Sequence, residues 1–100
     1  MTDEQHVVVQ PSGLLDELRR LAEQARAEGR FRAFVIALKW IYEQLQRTPH
    51  KFGESREWYA GAELQARCGF ARPLYVGYGV HEPGRRVFLR RFVLLPAGQI

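Results

Sequence analysis

The sequence has little of what a disulfide-stabilised or membrane-spanning protein needs. Cys68 is the single cysteine among the 100 residues, so the chain cannot form an internal disulfide or a cysteine-rich zinc site. No apolar run approaches the roughly 18 residues that a membrane-spanning helix requires. The first six residues are polar and acidic and lack the basic and apolar segments of a secretory signal. These absences predict a cytoplasmic protein with no membrane partner.

The length leaves room for one hydrophobic core, because a second independent core does not fit into 100 residues. Hydrophobic residues make up 46% and charged residues 26% of the chain. These fractions are typical of globular proteins and exclude disordered, coiled-coil and collagen-like chains. We therefore predict a single domain spanning residues 1–100.

Lysine is scarce, and acidic residues are nearly absent from the last third of the chain. Only two of the 15 basic residues are lysines, and the rest are arginines. Residues 67–100 hold six arginines and a single acidic residue, Glu82, whereas residues 1–28 carry six acidic and three basic side chains. A net charge of +4 distributed in this way favours anionic partners, and the planar guanidinium of arginine suits phosphate well.

Two stretches carry apolar residues at the three- and four-residue spacing of amphipathic helices. The first follows Ser12, a residue type that caps helices, and ends at Gly29. The second runs from Phe31 to Leu45 and ends before Pro49. Because a short turn joins them, they should form an antiparallel helical hairpin with one apolar face to bury.

Short β-branched and aromatic runs predict four strands. Residues 7–9 are three valines, and residues 62–70 alternate apolar with polar side chains. Residues 73–81 and 86–95 are separated by the turn sequence Glu-Pro-Gly-Arg, which indicates a hairpin. Residues 48–61 are expected to form one long connection. The predicted order is β-α-α-β-β-β, an α+β fold with the helical hairpin packed on a mostly antiparallel four-stranded sheet.

Residues with the chemistry for catalysis or metal binding are sparse. The three histidines, His6, His50 and His81, are far apart, and none lies three or four residues from another histidine or from Cys68. Cys68 falls on the apolar side of its predicted strand, which indicates a core position rather than a nucleophile. We therefore predict no metal site and no cofactor.

The arginines of the final strands are the strongest functional candidates. Six lie on or between these strands: Arg67, Arg72, Arg85, Arg86, Arg90 and Arg91. Gathered on one exposed sheet face, they would hold a nucleic-acid backbone or an acidic protein segment; otherwise they form an ordinary solvated surface. If the arginines bind nucleic acid, Trp58, Tyr59 or Tyr75 would stack on a base.

Several segments carry a family resemblance that spans nearly the whole chain. They are the early valine strand, the phrase Leu45-Gln46-Arg47-Thr48-Pro49 that ends the helical hairpin, and the strand segments 72–80 and 86–89. In these segments and in its order of elements, the chain resembles the RelE/ParE superfamily. Its members are the toxins of bacterial type II toxin–antitoxin systems, also called plasmid-stabilisation proteins.

The resemblance implies a toxin that is bound by an antitoxin protein and acts on translation, through messenger RNA and the ribosome, or on DNA gyrase. As an enzyme it would be a metal-independent, ribosome-dependent endoribonuclease whose basic groups stabilise charge on the scissile phosphate. The family's basic sheet positions match Arg67, Arg72 and Arg90, which are the candidate catalytic residues. Candidate nucleic-acid contacts are Lys51, Arg85, Arg86, Arg91, Trp58 and Tyr75.

The C-terminal sequence departs from nucleolytic members, which commonly place a tyrosine or histidine beyond the last strand. Residues 94–100 contain neither, so Tyr78 or His81 would have to replace that group. An active ribonuclease and a toxin that acts only by binding therefore both stay open. The alternatives are a non-toxic protein–protein interaction module with the toxin fold and a general RNA-binding domain, and homodimerisation also stays open.

Overall fold

The protein, described over residues 5–96 by a computed structural model, combines two helices with one five-stranded sheet. The strands are β1 (Val7–Val9), β2 (Glu54–Tyr59), β3 (Leu64–Ala71), β4 (Leu74–His81) and β5 (Arg86–Leu94). The helices are α1 (Leu14–Ala27) and α2 (Phe31–Arg47), and a 3-10 turn at Ala60–Ala62 joins β2 to β3. The α+β class and the helical hairpin are thus confirmed.

The helix boundaries follow from local backbone chemistry. After α1, Gly29 takes a φ of +73°, a left-handed conformation that glycine adopts without strain. Pro49 follows shortly after the end of α2, where its ring is incompatible with a continuing helix. At the start of α1 the cap residue is Gly13, and no side chain caps the helix, so the predicted Ser12 cap is wrong. Among residues 5–96, neither helix has the length and apolar character needed to cross a membrane.

The sheet has the strand order β1-β5-β4-β3-β2. Strands β2 to β5 are joined by short connections, and each therefore pairs antiparallel with the next. Strand β1 lies parallel to β5, since the helical hairpin carries the chain across the sheet before β2 begins. The β4–β5 turn closes with a hydrogen bond of 3.0 Å from the Arg85 amide to the Glu82 carbonyl. The mostly antiparallel sheet and its C-terminal hairpin are confirmed.

The helical hairpin covers one face of the sheet and buries the main core. From α2, Phe34, Ile41 and Leu45 are buried in one cluster with side chains of β4 and β5. Tyr42 of the same helix stacks on Phe92, with ring centroids 6.2 Å apart. The buried strand residues are Leu74, Val76, Tyr78, Val80, Val87, Leu89, Phe92 and Leu94. The opposite face of the sheet has no helix of the described chain on it.

The prediction of four strands is wrong, because a fifth strand lies within residues 48–61. All six residues of β2 are exposed, since β2 is an edge strand that pairs only with β3. An edge strand with no buried side lacks the alternation of apolar and polar residues by which strands are recognised. The long connection shrinks to a short loop before β2 and the 3-10 turn after it.

The alternation of apolar and polar residues in β3 correctly predicts that Ala66, Cys68 and Phe70 share one face of the sheet. This face points away from the helices and not toward them. Phe70 is 59% exposed, and Cys68 is buried outside the main core. The helix-facing side holds Arg67 and Gly69 instead. A Cβ at position 69 would lie 2.5 Å from the ring of Phe52, so glycine here admits an aromatic ring against the strand.

Candidate nucleic-acid interface

The sheet face that points away from the helices holds a concave pocket of about 220 Å³. Its floor consists of the small residues Ala66, Cys68 and Gly77 on the two central strands β3 and β4. Larger side chains from β2, β4 and β5 form its walls. We define the basic pocket by five of these: Arg56, Tyr59, Tyr75, Arg90 and Arg91.

Two β-bulges place the arginines of the basic pocket. Strand pairing between β2 and β3 skips Arg56, and pairing between β4 and β5 skips Arg90. A bulge inserts an extra residue and changes the direction of nearby side chains. Consecutive residues of a regular strand point to opposite faces, yet Arg90 and Arg91 both line the pocket. The bulges therefore concentrate positive charge on one face.

The three arginines of the basic pocket make no ion pair in the described chain, although the Glu57 carboxylate lines the same pocket. Arg56, Arg90 and Arg91 are all exposed. The Arg91 guanidinium carbon lies 6.0 Å from the ring centroid of Tyr75, at the outer limit of a cation–π contact. Positive side chains around a concavity reinforce one another's field and attract anions.

The opposite wall holds a tyrosine and a carboxylate in contact. The Tyr59 hydroxyl donates a hydrogen bond of 3.0 Å to the Glu57 carboxylate. This hydrogen bond and the carboxylate charge raise the pKa of Tyr59 above its ordinary value, against the opposing effect of nearby Arg90. Tyr59 is therefore a neutral donor and an aromatic surface at physiological pH. The described residues that line the pocket include no histidine.

A second depression adjoins the basic pocket and lengthens the basic surface. It has a volume of about 280 Å³ and is lined by Arg90, Arg91, Glu17 and residues 11–14, beside the start of α1. The two arginines border both depressions, and we call the two depressions together the basic track. A chain with repeating negative charges can contact both sides of such a track at once.

Five of the residues predicted from the sequence line the basic pocket: Tyr59, Arg67, Tyr75, Arg90 and Arg91. Arg72 lies in the β3–β4 turn, Lys51 in the loop after α2, and Arg85 and Arg86 at the β4–β5 turn. Trp58 lies opposite Gln65, so its side chain belongs to the helix-facing side of the sheet. The structure does not bring Arg72, Lys51, Arg85, Arg86 or Trp58 to the basic pocket.

Arg67 borders the basic pocket, but its guanidinium is committed to the interior. The residue is 8% exposed. Its Nη2 donates to the backbone carbonyls of His50, at 2.7 Å, and Gly53, at 3.1 Å. It also donates to the Phe52 carbonyl, and Nη1 donates to Gln65. These contacts fix the loop before β2 and leave the guanidinium unavailable to a ligand, so Arg67 is a structural residue here.

Arg56 is the one residue of the basic pocket that the sequence does not predict. Tyr59 is predicted from the sequence only as a residue that stacks on a base. Both lie in the segment predicted to be a connection. The adjacent Trp58 and Tyr59 were a signal of extended structure, because aromatic residues favour strands. The bulge that turns Arg56 into the pocket has no comparable signal in the sequence.

A second polar cluster lies at the end of the sheet near the β4–β5 turn. His6, His50 and Glu82 place one potential metal-ligating atom each within 4.8 Å of one another. None of the three lines the basic pocket. The sequence spacing gave no indication of this cluster, because its members come from three separate parts of the chain.

Comparisons of the chain with protein-family models, with curated proteins and with solved structures found no match.

Proposed function

We propose that the protein acts in the cytoplasm as a RelE/ParE-type toxin that binds single-stranded RNA in the basic pocket and is neutralised by an acidic antitoxin. The observation that supports this most directly is the convergence of Arg56, Arg90 and Arg91 with two tyrosines on one concave face, without ion pairs in the described chain. Arginines beside aromatic rings are the groups that hold phosphates and stack on bases.

The geometry favours a single strand over a duplex. The pocket is a concavity of about 220 Å³, and two tyrosines line it, where an unpaired base can reach them. Bases in a duplex are stacked on each other and present only their edges. The track formed by the two depressions allows adjacent phosphates to contact Arg90 and Arg91 while a base lies against Tyr75.

Binding is better supported than cleavage. The two groups considered as replacements for a catalytic residue are both engaged elsewhere. The Tyr78 hydroxyl is buried and within hydrogen-bonding reach of the Pro49 carbonyl, at 3.0 Å. His81 accepts a hydrogen bond from the Gly84 amide at 3.1 Å. Residues 97–100, part of the segment where nucleolytic relatives place their group, lie outside the described residues.

Fluorescence anisotropy with a labelled ten-nucleotide oligouridylate tests the RNA-binding part. We expect submicromolar to micromolar affinity that falls steeply between 50 and 200 mM salt. The triple variant Arg56→Ala/Arg90→Ala/Arg91→Ala should bind at least about tenfold more weakly. The matched control, Arg19→Ala/Arg32→Ala/Arg47→Ala, removes the same charge from the helices and should lose much less. Equal losses in the two variants would show that net charge alone, and not the basic pocket, attracts RNA.

Induced expression in bacteria tests the toxin part. We expect growth arrest by the wild type, rescue by the acidic protein encoded beside it, and normal growth with the triple pocket variant. Normal growth with soluble wild-type protein would contradict the toxin assignment. The two alternative functions would then be a general RNA-binding domain and a non-toxic interaction module. Growth arrest that persists in the triple variant, with inhibited supercoiling by purified gyrase, would identify gyrase as the target. If the purified protein cuts RNA in the presence of ribosomes, the toxin acts by cleaving RNA and not by binding alone.

A further inference from the structure

The cluster of His6, His50 and Glu82 joins three segments that are remote in sequence. His6 precedes β1, His50 follows α2, and Glu82 begins the β4–β5 turn. The Nε2 atom of His6 lies 3.0 Å from one oxygen of Glu82, and Nε2 of His50 contacts the other oxygen. The two imidazole rings meet edge to face, with centroids 5.7 Å apart. Both rings therefore direct a nitrogen at the same carboxylate.

The burial of His6 is not explained by these hydrogen bonds alone. The residue is 7% exposed, and its Nδ1 is buried without a hydrogen-bond partner among the described residues. Burying a polar atom without a partner costs free energy. A cation bound at Nε2 would leave Nδ1 unpaired, but its coordination bond to the same ring would offset that cost.

Glu82 provides the negative charge that such a cation requires. Each of its two carboxylate oxygens contacts the Nε2 atom of one histidine, so the acid lies between the two imidazoles. The carboxylate remains 53% exposed, which leaves an entry path from solvent.

We propose that His6, His50 and Glu82 form a binding site for a divalent transition-metal ion, with Zn²⁺ as the preferred occupant. Two imidazole nitrogens and one carboxylate oxygen are a donor set that suits zinc and its neighbours and not Mg²⁺ or Ca²⁺, which prefer oxygen ligands alone. With metal–ligand bonds of about 2.0–2.2 Å, ligand atoms in a tetrahedral site lie about 3.4 Å apart. The separations of 3.0 Å and at most 4.8 Å require only small side-chain rotations to reach this value.

The ion would act as a cross-link between the three segments. It would attach the short strand β1, which pairs with β5 through only three residues, to the loop after α2 and to the β4–β5 turn. The His50 carbonyl also accepts from Arg67, so the same loop is held from both sides. The role is independent of RNA binding in the basic pocket.

The third histidine of the chain offers a matched control. His81 neighbours Glu82 in sequence but is not a member of the cluster, and its Nδ1 accepts from the Gly84 amide. A His81→Gln variant removes one imidazole from the same turn and leaves the three proposed ligands in place.

Isothermal titration of ZnCl₂ into EDTA-dialysed protein without a polyhistidine tag tests the site. We expect one equivalent of Zn²⁺ to bind with a dissociation constant of about 1 μM or lower. His50→Ala and Glu82→Gln, both at partly exposed positions, should weaken binding by at least about 100-fold, whereas His81→Gln should bind as the wild type does. Circular dichroism confirms that each variant is folded. At a free Zn²⁺ concentration 100 times the dissociation constant, the folding equilibrium constant should rise about 100-fold, with a matching rise in Tm.

The proposal fails if folded wild-type protein binds no Zn²⁺ at micromolar concentrations. It also fails if His81→Gln weakens binding as much as His50→Ala, because the metal would then follow histidine content rather than this geometry. Unchanged binding by folded Glu82→Gln would remove the carboxylate from the ligand set. RNA binding by His50→Ala at wild-type affinity is expected, since the basic pocket lies elsewhere.

Discussion

Arginines on the two faces of the sheet have opposite environments. Arg67 on β3 is 8% exposed and donates to three backbone carbonyls of the loop before β2. Arg90 and Arg91 on β5 are exposed and form no ion pair within the described chain. The same residue type thus stabilises the fold on one face and is free for a ligand on the other. Position relative to the pleat and the bulges decides which role it takes.

On the helix-facing side, Arg67 belongs to a connected polar network that also includes Tyr78. Tyr78 stacks on Phe52, and its hydroxyl reaches the Pro49 and Phe52 carbonyls. Arg67 lies directly opposite Tyr78 in the sheet and shares the Phe52 carbonyl with it. Together they satisfy the backbone groups of a loop that is partly buried under α2. Removing any member should therefore lower stability, whereas removing a pocket arginine should not.

The largest expected effect comes from Arg67→Ala. This change leaves the partly buried His50 and Gly53 carbonyls without their side-chain donor and removes one of the two donors to the Phe52 carbonyl, so we expect the free energy of unfolding to fall by about 4 kcal/mol. Urea denaturation followed by circular dichroism measures the change. Arg91→Ala, the matched change on the other face, should alter stability by less than about 0.5 kcal/mol. Similar losses in the two variants would contradict the distinction between the two faces.

Gly53→Ala should have the next largest effect. Gly53 has a φ of +76°, and a Cβ there would lie 2.2 Å from the Cys68 carbonyl oxygen. The strained backbone and the clash should cost about 2–3 kcal/mol and displace the carbonyl that accepts from Arg67. Gly61→Ala is the control, because a Cβ at that position meets nothing within 4 Å. If the two alanine variants are equally stable in thermal denaturation, the loop is not held as described.

Tyr78→Phe should destabilise the protein by about 1–2 kcal/mol at pH 7, because the buried Pro49 and Phe52 carbonyls lose the one O–H donor that lies within reach of both. It should also change the alkaline limb of the stability profile. Burial raises the pKa of Tyr78 above 10.0, although Arg67 opposes this. The unfolded state then ionises first, so wild-type stability falls as pH rises above 10, with a contribution of up to about 1.4 kcal/mol per pH unit.

The measurement for this prediction is urea denaturation between pH 8 and 11. Tyr78→Phe should show a shallower decline than the wild type, since it lacks the titrating group. An equally steep decline would mean that the Tyr78 hydroxyl is not part of the buried network.

Arg91→Ala should have the smallest effect on stability of the variants considered, but it should weaken RNA binding measurably. Arg91→Ala removes one exposed guanidinium, and we expect it to weaken binding of the oligouridylate by about threefold to tenfold. The slope of log affinity against log salt should decrease by about 0.7, the value for one single-strand phosphate contact. Arg32→Ala on α2 is the single-residue control. A slope that is unchanged in Arg91→Ala would place the phosphate away from the pocket.

Much of the fold could be predicted from the sequence because its signals are local. Apolar spacing located both helices, and Gly29 and Pro49 mark the places where they end. The β4–β5 hairpin followed from its turn sequence. Strand β2 could not be predicted in the same way, because an exposed edge strand has no buried side to leave a pattern.

The sites were less predictable than the fold because they depend on long-range pairing. Tyr75, Arg90 and Arg91 were identified as candidates from charge and residue type, and they do meet in one pocket. Arg72, Lys51, Arg85 and Arg86 have the same chemistry and lie elsewhere. Residue type alone could not separate the two sets.

What the sequence determined by itself was the α+β class, the helical hairpin, the C-terminal hairpin and the concentration of arginines in the last strands. These depend on the spacing of apolar residues and on turn chemistry, which act between near neighbours in the chain. Only the tertiary structure decided that Arg67 faces inward, that bulges bring Arg56 and Arg90 together, and that His6 meets His50 and Glu82. Strand register sets all three, and register depends on contacts between residues that are remote in sequence.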